Sequence, residues 1–493
     1  MFAKEILSLS KELANQMQSS DFGKLLLQFI LDLPKNKPTW VYTFAKEHNL
    51  DLNQDDMKER MRTNTLIAKT IYNDNLLLIN IRSFSKMVIE VDCLSLKGNV
   101  ILYIKLERIS EKNFDLRKII LFPSYYRLEQ KNTLKLSLKD AKKQLYKSLN
   151  FVQKNDSFSG NVLIMHKKTK LFEYSGGYAN LRYKVKNNLT TKFNLGSLDK
   201  IFTAVAIMQL YEKKQLKLHD KIEKYLPDFP NGEKITIHQL LTHTSGLGSF
   251  WTKRYQENFI ILRSIDTYLN LFRENPLLFE PGEKFEYSNF GYIVLGKIIE
   301  VITGEKYDSY VKRNIFDRAE MMNTGNFEID YIIPNLAIGY THTAIDENYN
   351  IENDDENFDI EKKFSNIFIV PVKGFSAGGG YSTVEDLANF ALALETERLI
   401  SKSSLNLMLN PSSDITSDIE ESDSYGYGCM IGKIKKKKWY GHGGGANGIA
   451  TMLEIFPEEN LVVVILTNYD PMYEILIEEQ INSLLDCFFT KHH

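Results

Sequence analysis

Ser197-Leu-Asp-Lys200 stands at the head of an apolar run, Ile201-Phe-Thr-Ala-Val-Ala-Ile-Met208. Residues three apart share a helix face, so the Ser197 hydroxyl and the Lys200 amine can meet. A hydroxyl becomes a useful nucleophile when a base takes its proton. Lysine serves as that base when its ammonium form is destabilised. A helix pressed into a core supplies the desolvation, and its N-terminal end favours developing negative charge. The chemistry indicated is acyl transfer through a serine ester. The spacing alone carries little weight, because Ser8-Leu-Ser-Lys11 and Ser83-Phe-Ser-Lys86 repeat it.

Two further groups of residues complete a site. Tyr287-Ser-Asn289 follows Phe279-Glu-Pro-Gly-Glu-Lys-Phe285. A tyrosine beside a cationic lysine can relay protons, because the neighbouring charge lowers the phenol pKa. An asparagine two residues on can hold the lysine and donate to a substrate carbonyl. The bland reading makes Tyr287 an interfacial aromatic and Asn289 a helix cap. The third group is Gly441-His-Gly-Gly-Gly-Ala-Asn-Gly448, directly before a strand. Glycine lets backbone approach a ligand closely, and an edge strand there offers an N–H to an oxyanion. The competing reading is a plain loop in which His442 is a hydrogen-bonded core residue.

These groups need elements to position them. At 493 residues the chain calls for two domains. Apolar content of 43% and charged content of 25% are those of a soluble globular protein. A net charge of −2 gives no reason to expect nucleic acid or an anionic membrane as partner. Cys93, Cys429 and Cys487 are far apart and odd in number, which argues against a disulfide framework or zinc site. The beginning carries early acids and no long apolar stretch, and no membrane span is seen, so a cytoplasmic location is expected.

Along the chain, helices are expected over 21–33 and 53–61, then strands over 75–81, 86–94 and 99–106, which make a small α+β domain over residues 1–130. A linker near 122–133 leads to the second domain, 135–493. There a helix over 137–151 precedes a hairpin (160–166 and 170–174), and a mostly helical middle runs from 197 to 386. Strands return over 425–434, 448–456 and 461–468, followed by a helix over 471–489. Five strands from the two ends of this domain make one antiparallel sheet, with a helical lobe beside it and Ser197 at their boundary. The acidic, Asn-rich stretch 345–364 reads as a solvated loop, with a lid as the sharper alternative. The run Lys433–Lys438 reads as a charged hairpin tip.

The ordered set of motifs resembles the penicillin-recognising serine hydrolases: class C β-lactamases, D-alanyl-D-alanine carboxypeptidases, class VIII esterases and the β-lactamase-related group. The flanks resemble it too, in Gly196-Ser-Leu-Asp-Lys-Ile-Phe-Thr-Ala-Val-Ala-Ile-Met-Gln-Leu210, Leu240-Leu-Thr-His-Thr-Ser-Gly-Leu247 and Ser376-Ala-Gly-Gly-Gly-Tyr-Ser-Thr-Val-Glu-Asp386. The likeness covers about residues 137–489. It implies a β-lactamase/transpeptidase-like α+β fold, and the first 130 residues only faintly resemble cystatin-like domains. It also implies acylation of Ser197, general base and acid work shared by Lys200 and Tyr287, and substrate contacts from Asn289, His442, Gly444 and Gly445. The oxyanion hole would be the N–H groups of Ser197 and Gly445. Two positions depart from the common pattern. His442 replaces the usual lysine of a Lys-Thr-Gly motif, which weakens the case for a cation dedicated to a β-lactam carboxylate. Asp199 stands where Thr, Ser or Asn is commoner.

The implied activity is cleavage of an ester, amide or peptide bond, with a small molecule or peptide as substrate and no metal or organic cofactor. The alternatives are a non-catalytic binding or assembly protein that keeps the fold, and a true β-lactamase. The acyl group, the leaving group and the oligomeric state are not legible in the residues.

Overall fold

The computed structural model describes residues 11–36, 40, 68, 71–72, 76–85, 88–95, 100–108, 114–123, 137–344, 359, 361–410, 424–434, 437–470 and five positions from 481 to 489. The expected helix over 53–61 and most of the acidic stretch 345–364 lie outside these residues, as does most of the expected helix over 471–489.

The chain divides into two compact units. One comprises Met1–Ser159 with Ile360–Lys362 and Met472–His493; the other comprises Gly160–Asp359 and Lys363–Pro471. This division falls at 159/160, where the sequence suggested a boundary near 130–135. Helix 138–154 therefore groups with the first unit.

The first unit contains helix α1 (Asp21–Asp32), capped by Ser20, whose hydroxyl accepts from the Gly23 amide. Its sheet is a four-stranded antiparallel meander: β1 (Leu76–Phe84), β2 (Val88–Ser95), β3 (Val100–Arg108) and β4 (Phe114–Pro123). Three of these strands were expected. The fourth occupies residues next to the expected linker, where Arg117 and Lys118 interrupt the apolar pattern. Cys93 lies buried on β2, as a core residue. Helix α2 (Leu138–Lys154) is capped by Ser137 and turns Ala141, Leu145, Leu149 and Val152 inward at helical spacing.

The second unit is built on a seven-stranded antiparallel sheet. Its strands are β5 (Gly160–His166), β6 (Thr169–Gly176), β7 (Ser424–Tyr425), β8 (Met430–Ile434), β9 (Lys437–Ala446), β10 (Ile449–Phe456) and β11 (Leu461–Thr467), in the order β7-β8-β9-β10-β11-β5-β6. Every residue of β11 is buried, as befits a central strand covered on both faces. The sheet has two strands more than the five the sequence suggested: the expected strand over 425–434 is two, β7 and β8, and β9 is new. The lysines and glycines of β9 disfavour a strand by propensity, and the pairing of Tyr440–Ala446 with Ile449–Ile455 overrides that.

The helical part contains α3 (Asp199–Glu212), α4 (Ile265–Phe272), α5 (Asn289–Thr303), α6 (Val384–Glu395) and α7 (Lys402–Leu409). Helix α6 packs on β5 and β11, and α4 and α3 pack on α5. Helix α3 is buried on all sides from Asp199 to Leu210. Its Phe202 ring meets Phe316 and Phe390 edge-on at 5.2 and 4.8 Å.

The turn before α3 lies directly on β9 and β10. Thr451 donates its hydroxyl to the Leu195 carbonyl at 2.8 Å. Gly196 has φ +53°, a left-handed backbone suited to glycine, and a Cβ there would meet the Gly444 backbone at 3.1 Å. A Cβ on Gly444 would lie 2.0 Å from the Leu195 carbonyl oxygen. Gly444→Ala is therefore expected to push strand and turn apart, costing about 1–3 kcal/mol and weakening any reaction at Ser197. Chemical denaturation of the variant, with covalent labelling of Ser197, checks both effects.

Candidate active site

Ser197 lies in a single 3-10 turn, Gly196–Leu198, which runs straight into α3. Lys200 occupies the first turn of that helix, fully buried, with its Nζ 3.0 Å from Ser197 Oγ. Two further acceptors hold the amine: Asn289 Oδ1 at 2.7 Å and the Ala377 carbonyl at 2.7 Å. Asn289 is the first residue of α5, and Ser288 caps that helix by accepting from the Gly291 amide at 2.9 Å. The segment carrying Ala377 is tied to the elements that carry Ser197. Thr203 on α3 donates to the Ser376 carbonyl at 2.7 Å, the Gly379 amide donates to the Gly196 carbonyl at 3.2 Å, and the Leu195 amide donates to the Gly380 carbonyl at 2.7 Å.

Tyr287 places its ring 4.8 Å from Lys200 Nζ. Its hydroxyl is buried with no hydrogen-bond partner of full geometry. Burial pushes the phenol pKa well up, and the nearby Ser197 hydroxyl offsets only part of this. The phenol is thus neutral at ordinary pH, a proton donor or relay rather than a standing base.

Lys200 behaves in the opposite sense. Burial drives its pKa down from 10.5 to about 7, and the negative charge of Asp199 opposes the shift. Near pH 7 about half of the amine is then uncharged, against well under 1% for a free lysine. Asp199 is itself buried and raised to about 7 by desolvation, with the Gly380 amide and the Lys200 charge pulling it back down. Its carboxylate accepts from the Gly380 amide, on the glycine segment, and not from Lys200. Adjacent residues on a helix point apart, as the sequence suggested. Asp199 acts on Lys200 through the field alone.

Strand β9 brings in the last group. Strand β8 pairs with it only as far as Gly441, so the edge from His442 to Ala446 is open on that side. In an antiparallel ladder alternate residues turn their N–H groups away from the partner strand. Gly445 is one step in from the Ala446–Ile449 pair that closes the turn, so its N–H faces the open edge. A Cβ at Gly196 would lie 3.3 Å from that nitrogen, which sets it beside Ser197.

Ser197, Tyr287, Asn289 and Gly445 line one cavity of about 240 Å³. Its remaining wall is largely apolar and aromatic: Phe250, Trp251, Tyr268, Ile293, Val370 and Phe375 are on it. No charged side chain is among the described lining residues. His442 and Gly444 are not on that wall. Gly444 packs on Leu195, and both ring nitrogens of His442 are occupied: Nε2 lies 3.0 Å from the Tyr425 hydroxyl and Nδ1 faces the Gly443 carbonyl. The Ala377 carbonyl and Tyr425 were not singled out in the sequence. A backbone acceptor has no signature in residue type, and Tyr425 reads there only as the start of a strand. Among the described residues no group of His, Cys, Asp and Glu is arranged to hold a metal ion.

A sheet flanked by helices, with Ser, Lys, Tyr and Asn converging at the boundary of a helical lobe, is the architecture of β-lactamases and transpeptidases. The Beta-lactamase family profile matches residues 150–484, and the chain belongs to that family. A penicillin-binding protein of Bacillus subtilis (strain 168) is 31% identical over 319 residues, 63% of this chain and 68% of the relative. The crystal structure of a penicillin-binding protein from Bacillus halodurans is 30% identical and covers 68% of this chain and 98% of its own, with a TM-score of 0.58. A D-amino acid amidase from Ochrobactrum anthropi, complexed with D-phenylalanine, shares the fold at 21% identity and a TM-score of 0.60, over 72% of this chain and 100% of its own.

The electrostatics of Lys200 set a pH dependence. Lysine loses its proton as pH rises, so the rate of Ser197 acylation is expected to climb through an apparent pKa of about 7. Asp199→Asn removes the charge that raises the Lys200 pKa and moves that midpoint to lower pH; any measured value belongs to the coupled pair. Acylation rates from pH 5 to about 10 for wild type, Asp199→Asn and Lys200→Arg read both effects. The arginine variant should show no such step, because guanidinium keeps its proton.

Proposed function

We propose that this protein is a serine hydrolase that cleaves an ester or amide through a Ser197 acyl-enzyme. The observation that carries the reading is the Lys200 amine, buried, brought to a pKa of about 7 and in hydrogen-bond contact with Ser197 Oγ. Uncharged Lys200 takes the proton from Ser197 Oγ as that oxygen attacks the substrate carbonyl carbon. The carbonyl oxygen becomes negative and is received by the Ser197 and Gly445 N–H groups. Lys200, now cationic, passes a proton to the leaving group, with the Tyr287 phenol as the relay beside it. The carbonyl re-forms, the leaving group departs as alcohol or amine, and the serine ester remains. Water, deprotonated by the same pair, then attacks that ester and releases the acid.

Asn289 holds Lys200 Nζ on the Ser197 side through its Oδ1 and leaves its amide donors for the substrate. The wall supports a reading of the substrate class. A cavity of about 240 Å³ lined by Phe250, Trp251, Tyr268 and Phe375 suits a bulky apolar or aromatic acyl group. A cation for a substrate carboxylate, which a β-lactamase would use, is not among the described lining residues. Small neutral esters and amides are thus preferred to cephalosporins. That a D-amino acid amidase shares the fold is compatible with this choice, since a D-phenylalanyl amide would offer such a side chain.

The experiment is covalent labelling with a fluorophosphonate probe, with the adduct located by mass spectrometry. Label is expected on the peptide containing Ser197 and none after Ser197→Ala; an adduct on Ser8 or Ser83 would overturn the assignment. Turnover of a series of p-nitrophenyl esters tests the wall. Phe250→Ala is expected to raise KM for a phenylacetyl ester several-fold and leave the acetate ester nearly unaffected. A kcat/KM for a chromogenic cephalosporin above that of every ester tried refutes the substrate class.

A further inference from the structure

His442 is buried in a cluster of rings whose hydrogen bonds to backbone groups at both ends fix a direction, with the Tyr292 hydroxyl as a second acceptor beside Tyr425. Nδ1 faces the Gly443 carbonyl, which only accepts, so Nδ1 carries the ring proton. Nε2 is then a lone pair, and the Tyr425 hydroxyl 3.0 Å away donates to it. That commits the only proton of Tyr425, whose oxygen accepts from His243 Nε2 at 3.1 Å. The far end agrees independently. The Ser288 amide donates to His243 Nδ1 at 3.0 Å, so the His243 proton must be on Nε2. Working inward from the Gly443 carbonyl or from the Ser288 amide gives the same polarity, with both imidazoles neutral.

The neighbours on every side reinforce that state. His243 lies 4.3 Å from the Tyr287 ring and 5.1 Å from the Tyr292 ring, and the Phe285 ring packs on both His243 and Tyr425. The Cys429 thiol, buried and raised to about 12 by desolvation, is the other titratable group near Tyr425. Tyr292 spends its own hydroxyl proton on the Leu241 carbonyl. Burial holds His442 down near 3 and His243 well below the ordinary range, and Lys200 is the cation that both imidazoles also sense. A proton on His442 Nε2 would confront the Tyr425 hydroxyl with a second donor and place a second cation beside Lys200.

We propose that Tyr425 is a positioning residue that sets specificity: by joining His243 and His442 in one directional chain it holds His442 in the Nδ1–H form and engaged away from the cavity, so the site selects acyl donors without a carboxylate beside the scissile bond. This rests on the acyl-enzyme reading, since selection is expressed in turnover. The chain itself does not. The sequence marks His442 as a departure from lysine, and the structure adds that its Nε2 is occupied by a tyrosine of β7.

Two measurements test it. Long-range proton–nitrogen correlation spectra of protein labelled with 15N-histidine report tautomer and charge, with His442→Gln and His243→Gln supplying the assignments. From pH 5 to 8 His442 is expected as the Nδ1–H form and His243 as the Nε2–H form, neither titrating. In the same pH range, kcat/KM is compared for a p-nitrophenyl hemisuccinate and for its methyl-capped diester. Wild type is expected to favour the diester at least tenfold by a pH-independent ratio. In Tyr425→Phe, burial and Lys200 still keep His442 neutral, but its Nε2 loses its donor, so the Nδ1–H form is expected to give way to a mixture of tautomers and the ratio to move several-fold toward the hemisuccinate, whose carboxylate an Nε2–H would favour. A titrating or Nε2–H His442 in wild type overturns the chain, and a wild-type preference for the hemisuccinate overturns the selection. A folded Tyr425→Phe with an unchanged ratio does the same. Absence of turnover of either ester alongside the expected spectra refutes the acyl-enzyme reading and leaves the chain intact.

Discussion

The burial of one amine governs this site. Moving an ammonium out of water costs several kcal/mol even after the protein relaxes. Three acceptors, Ser197 Oγ, Asn289 Oδ1 and the Ala377 carbonyl, recover part of that cost while Lys200 is charged. The rest is met by the helix that carries it. Ile201, Phe202, Val205, Ile207, Met208 and Leu210 are fully buried, and each contributes roughly 1.5–3 kcal/mol of transfer free energy as an upper estimate. Their burial anchors the helix around a lysine whose two protonation states are nearly balanced near pH 7.

The groups around Ser197 and Lys200 come from separate parts of the chain, and each is fixed by local structure. Asn289 is set by the Ser288 cap. Ala377 is set by backbone bonds that lace the Ser376–Gly380 segment to Leu195 and Gly196. Gly445 is set by the register of β9 on β10. Glycines stand where these backbones approach too closely for a side chain, as at Gly444 against Leu195 and Gly378 against Gly196. Rigid positioning of this kind keeps hydrogen-bond donors aimed before a substrate arrives, which is the source of most electrostatic stabilisation of a developing oxyanion.

Much of this was legible in the residues. The Ser197–Lys200 spacing and the apolar run after it fix a buried helix with both groups on one face. Tyr287, Asn289 and Gly445 could be placed near them through their motifs. The sheet order was partly legible, since hairpin 160–174 and the later strands announce themselves by alternation. Strand β9 was not, because Lys437-Lys-Trp-Tyr-Gly-His-Gly-Gly-Gly-Ala446 has the composition of a loop and is held as a strand by its neighbour. Strand β4 was hidden by its charges. The Ala377 carbonyl is invisible in sequence because it is backbone. The bond from Tyr425 to His442 is invisible because it depends on β7 and β9 flanking β8.

Strand β5 pairs with β11, so Gly160 lies opposite Thr467 across roughly 300 intervening residues. On a ribosome that adds about 5–20 residues per second, the β5–β6 hairpin waits on the order of 15–60 s for its central neighbour. Through that interval its apolar face and open edge need shelter from other chains. The β9 edge beside Ser197 is translated in the last few seconds of that wait. Ser197 is therefore made early, before Lys200 is desolvated and before the Gly445 N–H is set beside it. Order of synthesis thus builds in a delay between making Ser197 and assembling the surroundings that the proposed chemistry needs.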